Sequence, residues 1–273
     1  FKNPDEETSQ MAAYLLDVLK QEVKKGRLSP KLPMQSGVGS VANAVLYGLA
    51  DSLFDNLTFY SEVLQDAVFS LLDNGKLRFA SGTSLALSKD KGHEILGNIG
   101  KYKDRVVLRP QIISNNPEVI RRLGLIAVNT AIEADIYGNV NSTHIMGTRM
   151  MNGIGGSADF AHNSHLSIFV TQSTAKKGAI SSIVPFVSHV DHTEHDVDIL
   201  ITEQGVADLR GLSPRERASQ IIENCSHPMY KDLLREYFKI AMRNGGHTPH
   251  NLSTALCWHM NYLNNGAMLK TGM

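Results

Sequence analysis

The sequence predicts an α/β fold, an open and mostly parallel sheet flanked by helices. Three observations carry this. Short runs of β-branched and aromatic residues alternate with longer amphipathic runs, and such alternation builds a sheet from strand–turn–helix units. Glycine-rich turns stand between strand-like and helix-like runs, as in Gln35-Ser36-Gly37-Val38-Gly39-Ser40. The composition is that of a globular chain, 273 residues with 42% hydrophobic and 20% charged, long enough to bury a sizeable core. Several middle runs follow one another without an intervening helix, so part of the sheet is expected to be mixed.

The elements follow in order. Ser9 to Lys25 is an amphipathic helix, with Met11, Tyr14, Leu15, Val18, Leu19 and Val23 mostly three or four residues apart. Ser9 is its expected N-cap and Gly26 its stop. Leu32 to Gln35 is a short strand, then the glycine turn, then a helix from Val41 to Leu49. Leu57 to Tyr60 is a strand and Asp66 to Leu72 a helix that ends at Asn74-Gly75. Val106 to Leu108 is a strand, and Pro117 to Leu123 a helix with Pro in its first turn. Leu125 to Ile136 reads as a long strand or a strand pair. Ser167 to Thr171, Ser182 to Val187 and Val197 to Thr202 are further strands, and Arg215 to Glu223 and Lys231 to Arg243 are helices.

Charge and composition narrow the function. Lys plus Arg and Asp plus Glu are both 27, a formal net charge of zero, without the basic surplus of a nucleic-acid-binding domain. No apolar run approaches the roughly 18 residues of a membrane span. Cys225 and Cys257 supply neither a metal cage nor a disulfide framework, and a reducing, cytosol-like compartment is expected. The chain opens at Phe1 rather than Met, which sets the expectation of a piece cut from a longer protein.

Five features can carry chemistry. The turn at Gly37-Val38-Gly39 joins strand to helix, where small residues let backbone approach a ligand and helix amides favour anions. It is neither a dinucleotide fingerprint nor a P-loop. Asn152-Gly153-Ile154-Gly155-Gly156-Ser157 is glycine-rich enough to turn backbone N–H groups towards an oxyanion or phosphate. Glu62 and Glu203 each follow a strand, with Glu133 and Asp135 in or near another; such positions face the ligand crevice of an open α/β sheet, and position alone does not choose between Glu62 and Glu203. His189-Val190-Asp191-His192-Thr193-Glu194-His195-Asp196 lacks a helical metal spacing and is expected to be a hairpin turn with mutual side-chain hydrogen bonds and no metal. Lys176-Lys177 is either a solvated pair or a phosphate contact.

Together, Ser36 to Val45, Tyr60-Ser61-Glu62-Val63-Leu64-Gln65-Asp66, Tyr137-Gly138-Asn139-Val140-Asn141-Ser142-Thr143-His144, Gly153 to Phe160 and Thr202-Glu203-Gln204-Gly205-Val206-Ala207-Asp208 occur in the order seen in the acetyl-CoA hydrolase/transferase family, a branch of the class I CoA-transferases. The resemblance runs from about Lys31 to about Phe238 and is to the C-terminal half of proteins about twice this length. It implies a class I CoA-transferase (NagB/RpiA-like) sheet. It also implies that residues 1–30 are a helix and linker from an upstream half, and that 31–273 are the C-terminal catalytic domain. The implied activity moves CoA between an acyl-CoA of acetyl, succinyl or butyryl type and a small carboxylate through a glutamyl-CoA thioester. Hydrolysis of acetyl-CoA by the same glutamate is the alternative, and non-catalytic CoA binding a second one. Carried over by position, Glu62 resembles the catalytic glutamate, and the N–H groups of Val38 and Gly156 the oxyanion hole. Asn115 and Glu203 match polar residues of the site. Gly37, Val38, Gly39, Ser40, Val41, Asn152, Gly156 and Lys176 match CoA contacts. Distant class I relatives carry Glu-Asn-Gly at the nucleophile, where this chain has Glu62-Val63-Leu64. The resemblance further implies a homodimer, an N-terminal half as partner, no cofactor beyond the CoA thioester substrate, and a cytoplasmic location, mitochondrial in a eukaryote.

Overall fold

The structure is a computed structural model that describes residues 5–269 apart from 51 and 53; the side chains of Ser40, Val41 and Val45 also lie outside the described part. Helix α1 (Glu6–Lys24) begins before the expected Ser9, because Asp5 caps it by accepting from the Thr8 N–H at 2.9 Å. Glu6 and Glu7 then complement the positive helix end. Met11, Leu15 and Leu19 form its buried stripe, and Gly26 ends it in a left-handed conformation at φ +70°.

Strand β1 (Met34–Ser36) leads into α2 (Ser40–Gly48), and β2 (Leu57–Tyr60) into a three-residue strand β3 (Val63–Gln65) that runs straight into α3 (Asp66–Asp73). After the Gly75 turn come β4 (Leu77–Gly82), β5 (Ser84–Ala86), α4 (Lys89–Gly97) and β6 (Val106–Leu108). Then follow α5 (Gln111–Ser114), α6 (Pro117–Leu123) and β7 (Ile126–Thr130). Helix α6 has the predicted bounds because its signals are local: Asn116 caps two amides, Pro117 opens the first turn, and Gly124 closes it at φ +66°.

The rest of the chain comprises β8 (Glu133–Asp135), β9 (Val140–Asn141), β10 (His144–Ile145), β11 (Arg149–Met150), α7 (Ser157–Asn163) and β12 (Leu166–Val170). Beyond these lie β13 (Thr174–Ala175), β14 (Ile180–Ser181), β15 (Ile183–Val184), β16 (Ile199–Thr202), β17 (Gly205–Asp208), α8 (Pro214–Cys225), α9 (Pro228–Met242) and α10 (Cys257–Asn265). The run 125–136, expected as a long strand or a strand pair, is a pair of strands, and the predicted strand at 182–187 shrinks to two residues. Helices α8 and α9 start earlier than predicted, because Ser213 and His227 cap them with Pro at N1 or N2.

The chain divides into two compact units, residues 1–130 with 155–168, and 131–154 with 169–273. The first contains α1, which packs on α2: a Cβ on Gly48 would stand 3.2 Å from the Ala12 Cβ. Its strands order as β12-β7-β1-β2-β4-β6. The β7–β1, β1–β2, β2–β4 and β4–β6 pairs are all parallel. From β1 the chain adds strands on one side and then returns to place β7 on the other. The strand order therefore reverses beside β1, the topological switch point where α/β sheets open a crevice at their C-terminal edge. The glycine turn Gly37-Val38-Gly39 follows β1, and Glu62 follows β2, at that edge.

In the second unit β8 pairs in parallel with β15 and antiparallel with β9, and β16 with β17 is antiparallel, the mixed component expected from the crowded strand runs. Residues 189–196 are a connector, not the predicted hairpin, because β15 pairs with β8 and β16 with β17. Its side chains do bond to one another: His189 meets Asp191 at 3.3 Å. His192 is buried against the Phe169 ring, with centroids 4.8 Å apart. Among the described residues no group of His, Cys, Asp and Glu is arranged to hold a metal, and no described helix is long and apolar enough to cross a membrane.

Candidate active site

Glu62 sits between β2 and β3 with its backbone tied on both sides. The Ser61 N–H donates to the Ser81 carbonyl at 2.9 Å, and the Glu62 carbonyl accepts from Thr83 N–H at 2.6 Å and Ser84 N–H at 3.2 Å. Strand β3 then pairs with β5 from Val63 to Gln65. The backbone is thereby held rigid while the side chain, half-buried, is left to the crevice. Among the described residues the Glu62 carboxylate accepts one hydrogen bond, a short one from the Gly156 N–H to Oε2.

The glycine-rich loop delivers that donor. Gly155 holds φ +54°, a left-handed turn that glycine adopts without strain. Gly156 itself has φ −85°, open to any residue, so space and not backbone demands glycine there. A Cβ on Gly156 would stand 2.5 Å from Asn115 Nδ2, 2.6 Å from Glu62 Oε2 and 3.2 Å from the buried Phe160 ring. The nest expected from the sequence is therefore specific: its amide is already engaged with the carboxylate. Asn115, just past α5, is 7% exposed, donates to Asp159 Oδ2 at 3.3 Å, and leaves its Oδ1 buried with no protein partner. A buried amide oxygen without a partner is costly in a closed core and natural at a ligand site.

The turn after β1 is held from β3. The Gln65 side chain donates to the Gly37 carbonyl at 2.9 Å and accepts from the Gly39 N–H at 3.2 Å. Gly37 also donates to the Val128 carbonyl at 2.8 Å, and a Cβ there would press on Asn129 Oδ1 at 3.1 Å. Gly39 has φ +143°, a conformation that L side chains rarely adopt. Val38 between them is exposed. The side chains of Ser40 and Val41, matched to CoA contacts, lie outside the described residues.

Glu62, Gly156 and Asn115 are thus brought together in the first unit, and the Val38 turn is tied to the strand that follows Glu62. Asp159 and Gln65 complete this arrangement. Sequence reasoning missed their roles because each acts through a partner distant in the chain.

The other positions belong to the second unit. Asn152 is exposed and donates from Nδ2 to the Ser142 carbonyl at 2.9 Å. Lys176 and Lys177 sit on the exposed tip between β13 and β14, both with positive φ (53° and 57°). Left-handed backbone at two successive residues is the geometry of a tight turn between antiparallel strands. Glu203 is committed to Ser173 and Gln204: it accepts from Ser173 N–H at 2.8 Å, from Gln204 Nε2 at 2.9 Å and, more closely, from Ser173 Oγ. Glu133 is buried in a nest made by Asn141 Nδ2 (3.0 Å), Ser188 N–H (2.7 Å), Ser188 Oγ (2.6 Å) and His259 Nε2 (2.7 Å). Burial drives its pKa up, but the hydrogen bond and charge of His259 with the other donors hold it below the ordinary carboxylate value.

The acetyl-CoA hydrolase/transferase C-terminal domain model matches residues 92–238, a span that includes Asn115, Asn152, Gly156, Lys176 and Glu203. The chain belongs to the acetyl-CoA hydrolase/transferase family. It is 61% identical over 257 residues to the succinyl-CoA:acetate CoA-transferase of Clostridium kluyveri, covering 93% of this chain and 48% of that protein. It is 53% identical over 277 residues to the acetyl-CoA hydrolase of Schizosaccharomyces pombe, covering 97% of this chain and 53% of the relative. The chain therefore spans about half the length of these curated relatives. Among solved structures, that of RipA from Yersinia pestis superposes with a TM-score of 0.75 at 26% identity, over 89% of this chain and 55% of RipA.

Proposed function

We propose that this chain is the nucleophile-bearing half of a CoA-transferase, and that it acts together with an N-terminal half of the kind its relatives carry. The observation that carries the reading is the Glu62 carboxylate, rigid in backbone, half-buried, and bonded to a backbone N–H at the mouth of a glycine loop. Its coordination is sparse, one donor among the described residues against four on Glu133 and three on Glu203, which leaves it the most lone pairs with which to attack.

The reaction runs in four exchanges. Glu62 attacks the carbonyl of an acyl-CoA, and the tetrahedral oxyanion collapses to a mixed anhydride with loss of CoA thiolate. The thiolate attacks the glutamyl carbonyl of that anhydride and expels the carboxylate, leaving Glu62 as a CoA thioester. A second carboxylate attacks the thioester, expelling thiolate again. The thiolate then takes the new acyl group and frees Glu62. Splitting the transfer this way is covalent catalysis with ping-pong kinetics. The Gly156 and Val38 N–H groups serve as donors to the oxyanions, and the Asn115 side chain packs beside Gly156. All steps are heterolytic, so no cofactor beyond the substrate thioester is required. The acids named for the relatives, acetate and succinate, are the first acceptors to test.

Water entering in place of the second acid hydrolyses the same intermediate, a second reading that the 53% identity to an acetyl-CoA hydrolase keeps beside the 61% identity to a transferase. The two-half protein, incubated with acyl-CoA and no acceptor, is expected to accumulate a CoA adduct on Glu62 that borohydride traps by reduction. Glu62→Ala removes adduct and exchange. Glu62→Asp withdraws the carboxylate by about 1 Å, enough to lower turnover about 100-fold where reacting atoms must meet. An adduct mapped to Glu133 or Glu203, or full exchange in Glu62→Ala, overturns the assignment.

A further inference from the structure

We propose that Gln65 is a positioning residue that sets the direction of the Val38 N–H, and with it one of the two donors to the oxyanion. The inference rests on the transferase reading above and adds to it a residue that touches no substrate. Gln65 is 3% exposed and lies three residues after Glu62, at the end of β3. Its amide bonds to both sides of Val38, donating from Nε2 to the Gly37 carbonyl at 2.9 Å and accepting at Oε1 from the Gly39 N–H at 3.2 Å. The Gly37 carbonyl and the Val38 N–H belong to one peptide unit. No described peptide bond is cis, and in a trans unit these two groups point in opposite directions. A carbonyl held by Gln65 therefore turns the Val38 N–H away from Gln65. Among the described residues that N–H has no acceptor of its own.

The clamp acts on a turn whose ends are fixed, by the Gly37 N–H on the Val128 carbonyl and the Asn43 N–H on the Gly39 carbonyl, while the peptide between them is not. Glycines flank Val38 on both sides, and glycine rotates through conformations closed to other residues. Without Gln65 the Gly37 carbonyl keeps only the longer bond from the neighbouring Ser36 Oγ, at 3.2 Å, and the 37–38 peptide can flip, which would present a carbonyl oxygen where the reaction needs a donor. The same short strand begins just after the nucleophile and ends in the clamp, so one element keeps Glu62 and the Val38 amide in register.

Three variants of the two-half protein test this, with Glu62 adduct formation and steady-state exchange as readouts. Gln65→Leu removes both bonds at similar volume. It is expected to lower kcat about 100-fold while KM for the acyl-CoA stays within about threefold, because the lost contact matters in the transition state. Gln65→Glu keeps the acceptor for Gly39 N–H but, when ionised, repels the Gly37 carbonyl. Protonated, its carboxyl can donate to that carbonyl, so kcat relative to the parent should recover as pH falls through the pKa of the introduced group. A merely structural residue would shift the melting temperature without such acid recovery. Gln65→Asn is polar and one methylene shorter, reaches one side of the clamp only, and is expected to fold and lose an intermediate share of kcat; it decides the matter if the other two do not fold. A folded Gln65→Leu or Gln65→Asn protein with parental kcat, or Gln65→Glu without acid recovery, overturns the clamp while leaving Glu62 in place. A parent protein that forms no Glu62 adduct overturns the transferase reading and the clamp with it.

Discussion

Glu62 in the first unit and Glu133 in the second are both strand-flanking glutamates, and their surroundings are opposites. Glu62 is half-buried and accepts one hydrogen bond among the described residues. Glu133 is 4% exposed and surrounded by Asn141, Ser188 and His259. A carboxylate whose lone pairs are all engaged is a structural anchor; one held by backbone and left with free lone pairs is able to react. Asp135 shows that donors alone do not stabilise a buried charge. It accepts from the N–H groups of Tyr137, Gly138 and Asn139, yet without a cation burial pushes it up to about 6. Glu133, with His259 beside it, goes the other way.

The largest effect expected from this contrast lies in the second unit. His259→Leu strips the buried Glu133 of its partner, and breaking a buried pair on one side costs about 3–5 kcal/mol. Denaturant unfolding should show that loss while the folded fraction keeps its exchange activity. A stable His259→Leu protein would erase the distinction between anchor and nucleophile.

Gly156→Ala reverses the pattern in the first unit. The Cβ would collide with Glu62 Oε2 and Asn115 Nδ2, displacing the carboxylate or the amide, so turnover should fall about 100-fold, the scale of one lost oxyanion donor. The backbone at φ −85° accepts alanine, so unfolding should change far less than activity. Parental turnover in the folded variant would remove Gly156 from the site.

The smallest effect is a pH dependence. The folded pKa of Glu133 lies below its ordinary 4.5. Its stabilisation is therefore present above that value and lost as pH falls through the lower folded one. Melting temperatures of the parent and Glu133→Gln should differ at about pH 6 and converge as pH falls through the lowered folded pKa, where the parent carboxylate protonates. A gap that stays constant with pH would mean that Glu133 contributes packing and not charge.

Much of the first unit was legible in the sequence. β2, β6 and α6 have the predicted bounds because alternating apolar residues, Asn116, Pro117 and Gly124 are signals within a few residues of each element. Strands β3 and β5 were missed because each is three residues long and exists through pairing with the other. Helix α10 was missed, although its His259 is the partner of Glu133, 126 residues earlier in the chain. The glycine loops stood out by composition, Glu62 and Glu203 alike by position at a strand end, and it was the family motif that pointed to Glu62. Gln65 and Asp159 carried no such mark, since an amide or carboxylate means nothing until its partner is placed.

The sequence by itself determined the α/β class, part of the element order, the two glycine turns and a short set of candidate carboxylates, because periodicity, capping and glycine content act over a few residues. Only the tertiary structure decided which carboxylate is free. The Gly156 amide reaches Glu62 across 94 residues, and Ser173 and His259 engage Glu203 and Glu133 across 30 and 126. Hydrogen bonds depend on distance and angle in space, and long-range contacts of that kind leave no local pattern in a chain.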